Sequence, residues 1–184
     1  MAVKTFTNEQ LTASDTNTYL ANAGLVYVTS TTVATSSSAV SITNCFSATY
    51  DAYQIVVSGG AMNAGEYGLN MKLGTQASGY YYAGFYLTYG GGNPFNLLGA
   101  NSSFWGAVGI ATPNGLNANI FLNNPYLTKN TFFTANYIYN NVGGGHGSNA
   151  GFLNSLDSYT GFTLSVGAGN FSGQTITVYG FRKA

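Results

Sequence analysis

The sequence predicts an all-β domain, an antiparallel β-sandwich of jelly-roll type, entered through a short N-terminal arm that carries one helix. Three observations lead there. From Leu25 onward apolar residues recur with a period of two, the alternating runs are short and bounded by glycine, proline and asparagine, and no helical pattern lies between them. A βαβ sheet would need such helices. The boundary falls at Gly24, giving an arm over 1–24 and a sandwich over 25–184.

In the arm, Thr12-Ala13-Ser14-Asp15 precedes Thr16 to Ala23 and then Gly24. This reads as an N-cap at Ser14 or Asp15, about two helical turns carrying Tyr19 and Leu20, and a glycine C-cap. A helix so short is unstable alone in water, so it must dock on its own domain, on a sister chain or on another protein.

In the body, Tyr67, Leu69, Met71 and Leu73 alternate with Gly68, Asn70 and Lys72, and Leu116, Ala118, Ile120 and Leu122 alternate with Asn117, Asn119 and Phe121. Phe162, Leu164 and Val166 alternate with Gly161, Thr163 and Ser165, and Ile176 and Val178 with Thr177 and Tyr179. Each set puts its apolar members on one face of a half-buried strand. Further strands are expected near 25–33, 39–43, 52–58, 80–89, 103–111 and 131–139, about ten in all. Gly59-Gly60, Gly90-Gly91-Gly92, Pro113-Asn114-Gly115, Asn124-Pro125 and Gly143-Gly144-Gly145 supply the turns.

Composition bounds the function. Five Lys or Arg and five Asp or Glu among 184 residues leave the chain 5% charged with a formal net charge of zero, against about 25% in ordinary soluble proteins. Asn 21, Thr 21, Ser 16 and Gly 25 supply uncharged polarity instead. Cations this scarce cannot displace counterions from phosphates, so no nucleic-acid partner is expected. They also remove the polybasic route to anionic membranes, and no apolar run approaches the roughly 20 residues that span a bilayer, so no membrane insertion is expected. No apolar export segment follows Met1 to Phe6, which points to synthesis in a cytoplasm. The single cysteine, Cys45, has no basic neighbour in sequence and reads as a small core residue.

A sandwich without charges has an edge problem, because open strand edges invite pairing and are usually blunted by Lys, Pro or bulges. Only Lys72 and the Arg182-Lys183 pair lie on or beside an expected strand. The edges and much of one flank are therefore expected to be covered by other copies in a symmetric homo-oligomer.

The search for chemistry assigns no catalytic residue, cofactor or metal site. Of the acids, Glu9 lies in the arm, Asp15 reads as a cap and Asp51 as a turn residue, which leaves Glu66 and Asp157 as the one conceivable carboxylate pair. They come from different loops with no supporting signature, and a glycan-active enzyme, the alternative from another class, would have to use them. His146 stands in Gly143-Gly144-Gly145-His146-Gly147, a glycine-flanked loop and a poor support for a triad. One His and one Cys exclude the usual zinc sets.

Aromatic chemistry stands out. Tyr80, Tyr81 and Tyr82 lead into Phe85, Tyr86 and Tyr89. Strand alternation places Tyr81, Phe85 and Tyr89 on one side and Tyr80, Tyr82 and Tyr86 on the other, so one set should meet a neighbouring subunit or a ligand. Trp105 is either buried against the core or a platform for stacking sugars. Tyr80, Tyr81, Tyr82, Trp105 and His146 are thus the candidate interface or receptor contacts.

Thr5-Phe6, then Leu11-Thr12-Ala13-Ser14-Asp15-Thr16-Asn17-Thr18-Tyr19-Leu20, then Gly24-Leu25-Val26-Tyr27-Val28 resemble the N-terminal segment of many tailed-phage virion proteins, notably of phages that infect cyanobacteria. The similarity continues through Phe46 to Ile55, Leu73-Gly74 before Gly79-Tyr80-Tyr81, Asn124-Pro125-Tyr126-Leu127, Ser158 to Thr163, and Thr177 to Lys183. The resemblance implies a virion structural component: a trimeric short fibre, appendage or decoration protein, docked on tail or capsid proteins by its arm. It implies anchoring by Leu11, Asp15, Asn17, Tyr19 and Leu20. A host-surface glycan would then be met through shape, aromatics and amides. The long shaft of a tail fibre is missing from this sequence.

Overall fold

A computed structural model describes residues 24–141 and 143–182. The expected helix and the anchoring residues Leu11, Asp15, Asn17, Tyr19 and Leu20 lie outside the described residues, as does Lys183.

The described chain is all-β. Its strands are β1 (Leu25–Thr32), β2 (Ala39–Ile42), β3 (Tyr50–Met62), β4 (Tyr67–Leu73), β5 (Tyr80–Thr88), β6 (Phe95–Ser102), β7 (Trp105–Thr112), β8 (Gly115–Asn123), β9 (Thr131–Tyr139), β10 (Gly145–Leu153), β11 (Phe162–Val166) and β12 (Phe171–Arg182). Every ladder is antiparallel, and all twelve strands belong to one continuous open sheet.

The sheet turns a corner at the β7–β8 hairpin. There β7 pairs with β8 only at Ala111↔Leu116 and Thr112↔Gly115, after which β9 takes over the same edge of β8 from Asn117↔Ile138 to Asn123↔Phe132, while β3 lines the opposite edge from Gly59↔Leu116 to Ala52↔Asn123. Thr112 Oγ1 stabilises the corner, donating to Gly115 O at 2.9 Å and lying 3.1 Å from Asn140 O. One arm beyond the corner has the order β1-β12-β3-β8-β9-β10-β5-β6, and the other has β2-β11-β4-β7.

The short arm folds over the inner face of the long one. Trp105 of β7 packs on Phe133 of β9 with centroids 4.5 Å apart and meets the edge of Tyr80 of β5 at 5.1 Å. Phe46 bridges Tyr53 of β3 at 4.7 Å and Phe162 of β11 at 5.7 Å. Asn149 of β10, buried, donates from Nδ2 to Gly106 O of β7 at 2.6 Å. Burying these large rings supplies about 25 cal/mol for each Å² of apolar surface removed from water, the main favourable contribution to such a core.

The expected inward positions Leu69, Met71, Leu73, Leu116, Ala118, Ile120, Leu122, Phe162, Leu164, Val166, Ile176 and Val178 are all buried. Tyr67 is not; it opens its strand more than a third exposed. The Gly59-Gly60 pair does not end a strand either. Both residues adopt positive φ (73° and 65°) within β3, and at Gly60 an added Cβ would lie 2.4 Å from Gln174, so glycine lets β3 continue alongside β12 to Met62.

Two strands, β6 and β10, were not expected. In β10 the alternation is hidden because its inward positions are Gly145, Gly147, Asn149 and Gly151 before Leu153. Rings from β9 fill the space above these glycines: a Cβ on Gly147 would lie 2.2 Å from the Tyr137 ring, and one on Gly145 2.6 Å from the Tyr139 hydroxyl. His146 is therefore not in a loop. It sits in β10, paired to Leu87 on one side and Ile138 on the other.

Gly151 tests this packing most sharply, since a Cβ there would lie 2.0 Å from the backbone oxygen of Tyr81 and 2.9 Å from the Phe133 ring. Gly151→Ala is expected to destabilise the fold by about 1–3 kcal/mol through overpacking, read as a lower urea midpoint. Ala150→Ser, one residue away on the exposed face, should leave the midpoint within about 0.5 kcal/mol of the parent. Equal midpoints for Gly151→Ala and the parent would refute the ring-over-glycine account.

Candidate functional site

The long arm of the sheet presents one face to the core and the other outward. Register fixes the outward rows. One rung runs Thr177, Val56, Asn119, Asn136, Ser148 and Phe85 across β12, β3, β8, β9, β10 and β5. The next rung, nearer the corner, runs Ser58, Asn117, Ile138, His146 and Leu87. Neither rung carries a Lys, Arg, Asp or Glu; Asp51 lies at the start of β3 beyond them, Lys72 stands on β4 of the short arm, and Glu66, Lys129 and Asp157 lie in loops.

The face divides into two regions. At the end away from the corner it is aromatic: Tyr81 and Phe152 stack at 5.0 Å with planes 8° apart, Phe132 follows at 6.3 Å, and Phe121 meets Phe181 at 5.1 Å. Hydroxyls close the β1 side, where Ser30 and Thr177 share a 3.0 Å hydrogen bond. Nearer the corner a shallow trough is lined by Tyr89, Asn117, Asn119, Asn136, Ile138 and His146. The Tyr89 and His146 rings lie 6.5 Å apart with planes 28° from parallel, and Phe85 approaches His146 edge-on at 6.2 Å. Gln54 Nε2 donates to Asn119 Oδ1 at 2.9 Å.

The expected contact residues separate accordingly. Tyr81 and His146 project from the outer face. Tyr80 and Trp105 are fully buried, so in this chain neither can touch a receptor or a neighbour. The Tyr80 hydroxyl accepts from Leu73 N at 2.8 Å, and Trp105 Nε1 donates to Phe152 O at 3.3 Å, which satisfies both polar tips inside the core. Tyr82 also turns inward, its ring over the Cα positions of Gly99 and Gly106. The sorting of Tyr81 from Tyr80 and Tyr82 follows strand alternation, as expected. What the sequence reading did not single out is the amide row, although Asn117, Asn119 and Asn136 occupy alternating positions on two strands.

The other ionisable groups do not assemble. The Glu66 charge acts on the Tyr139 hydroxyl near the corner, and that of Asp157 on Tyr159, whose backbone bonds Pro125 at the opposite end of β8. Among the described residues no three of His, Cys, Asp and Glu gather around a common point. Cys45 is buried, and desolvation pushes its thiol up to about 12. Desolvation likewise raises the Tyr80 and Tyr137 hydroxyls above the ordinary phenol range.

No protein-family model and no curated protein matches the chain.

The buried thiol and phenols fix the pH response. The fold holds their protonated forms, so the unfolded chain releases these protons first. Their contribution is fully present below the ordinary values, about 8.5 for a thiol and about 10 for a phenol, and is lost as pH climbs toward the raised folded values. The urea midpoint is expected to fall steadily from pH 9 upward, and native Cys45 to resist iodoacetamide at pH 8.5 until denaturant is added. Rapid native alkylation would contradict the burial of Cys45.

Proposed function

We propose that this chain is a structural component of a tailed-phage virion, a homotrimeric short fibre or appendage held on the tail by the arm over residues 1–24 and presenting its β body outward. The observation that carries the proposal is the outward face of the eight-strand arm, whose two central rungs hold aromatics, amides, hydroxyls and aliphatics but no Lys, Arg, Asp or Glu, and which, among the described residues, ends in two unpaired edge strands. One of them, β6, has no Lys or Pro, and its Leu98 and Phe95 are 73% and 56% exposed. Such an edge is a template for association.

Strand order supports a jelly roll within this reading. The set β1-β12-β3-β8 facing β2-β11-β4-β7 has the connectivity of two interleaved Greek keys, with β5-β6 and β9-β10 inserted as an extension of the first sheet. Jelly rolls serve in viral capsids and in lectins. A compact domain of this kind, with no shaft among the described residues, also suits a decoration protein on the capsid, which is the second reading.

Two measurements test the proposal. Light scattering of the purified chain should return three times the monomer mass, and Leu98→Lys on the β6 edge should lower it to one; a native monomer at high concentration would overturn the self-association. A chain starting at Gly24 should fold but fail to enter particles. Its normal incorporation would remove the anchoring role of the arm, and electron microscopy of labelled particles separates tail from shell.

A further inference from the structure

We infer that the trough bounded by Tyr89, Ile138 and His146 is a binding site for a neutral oligosaccharide, whose hydroxyls are read by Asn117, Asn119 and Asn136. The inference rests on the proposed outward presentation of this face.

The amides are uncommitted. Among the described residues Asn117 and Asn136 make no side-chain hydrogen bond, and Asn119 only accepts one, from Gln54, which leaves its NH2 group free to donate. Each amide can donate and accept, which matches the dual character of a sugar hydroxyl. Register places Asn119 directly beside Asn136, and Asn117 two residues along the same strand. Strand geometry sets such positions about 4.8 Å apart across strands and about 6.8 Å apart along one, the scale of a single pyranose ring.

The walls supply the apolar half of the recognition. Tyr89 is 64% exposed and Ile138 56%, so a ring face and an aliphatic patch stand ready to cover the C–H side of a sugar. Phe85 and Tyr89 flank the His146 imidazole. No Lys, Arg, Asp or Glu lines the trough, which selects against anionic saccharides that would need Lys or Arg partners. A second copy of the chain fits this region poorly. An apolar subunit contact would strand the free amides without partners, at about 1–3 kcal/mol each, whereas the aromatic end of the face and the β6 edge carry no such penalty.

The test titrates isotopically labelled full chain with maltoheptaose, mannopentaose and chitopentaose, while solution mass is recorded in the same buffer. At least one sugar should produce saturable amide shifts centred on Tyr89, Asn117, Asn136 and His146, unchanged between low and high salt. Asn136→Ala and Tyr89→Ala, both on the exposed surface, should fold normally and bind at least about tenfold more weakly. Binding of none of the three sugars, shifts centred elsewhere, or affinity abolished by salt would overturn the assignment. A drop in solution mass for Tyr89→Ala would make the trough a subunit contact, ending the glycan assignment while leaving the building-piece reading intact. Sugar binding by a native monomer would do the reverse.

Discussion

Rings lying over glycines are the constraint on which the rest of this structure depends. On the inner face of the long arm Tyr139, Tyr137 and Phe133 of β9 cover Gly145, Gly147 and Gly151 of β10; Tyr82 covers Gly99 and Gly106, and Tyr50 covers Gly180. Each pairing is close enough that a methyl group on the glycine would collide. Glycine inside a strand weakens it through lost entropy and missing side-chain contact, and a ring from the neighbouring strand restores the contact. The arrangement lets the short arm settle onto the long one. Asn149 can then reach the backbone of β7, and Trp105 can wedge between Tyr80 and Phe133.

The same device decides what was legible in the sequence. Strands whose inward residues are aliphatic, such as Leu116 to Leu122 or Phe162 to Val166, announce themselves by alternation, and their inward faces follow directly. β10 does not, because three of its five inward positions are glycine and the apolar surface that covers them belongs to β9. Its pattern is legible only in pairs of strands. β6 hides for a related reason: as an edge strand it has little core to face, and a register shift opposite Tyr80 and Tyr82 interrupts its alternation. Within the candidate site, alternation separates Tyr81 from Tyr80 and Tyr82, yet nothing local reveals that His146 stands between Ile138 and Leu87. That neighbourhood comes from pairing residues far apart in sequence.

Charge scarcity links fold to function. With so few ionisable side chains, the polar surface is made of amides and hydroxyls, which satisfy one another across strands, as Ser30 with Thr177, Ser41 with Thr163 and Gln54 with Asn119. A face built this way has neither long-range attraction for charged partners nor like-charge repulsion between copies of itself. It discriminates by shape and by hydrogen-bond geometry at contact. That suits repeated packing in an assembly, and it suits uncharged ligands.

The trough's shape completes this link. It is a shallow depression across adjoining strands, without a lid, so a bound saccharide would keep much of its surface in water and each site alone would bind weakly. Symmetric copies change that arithmetic. Presenting several identical sites on one rigid body makes each later contact effectively intramolecular, and avidity can exceed single-site affinity by about 10²–10⁴ where the geometry permits simultaneous engagement. On the proposed reading, then, self-association and surface recognition are one design: the edges and the aromatic end of the sheet build the assembly, and the assembly makes a weak, uncharged trough useful.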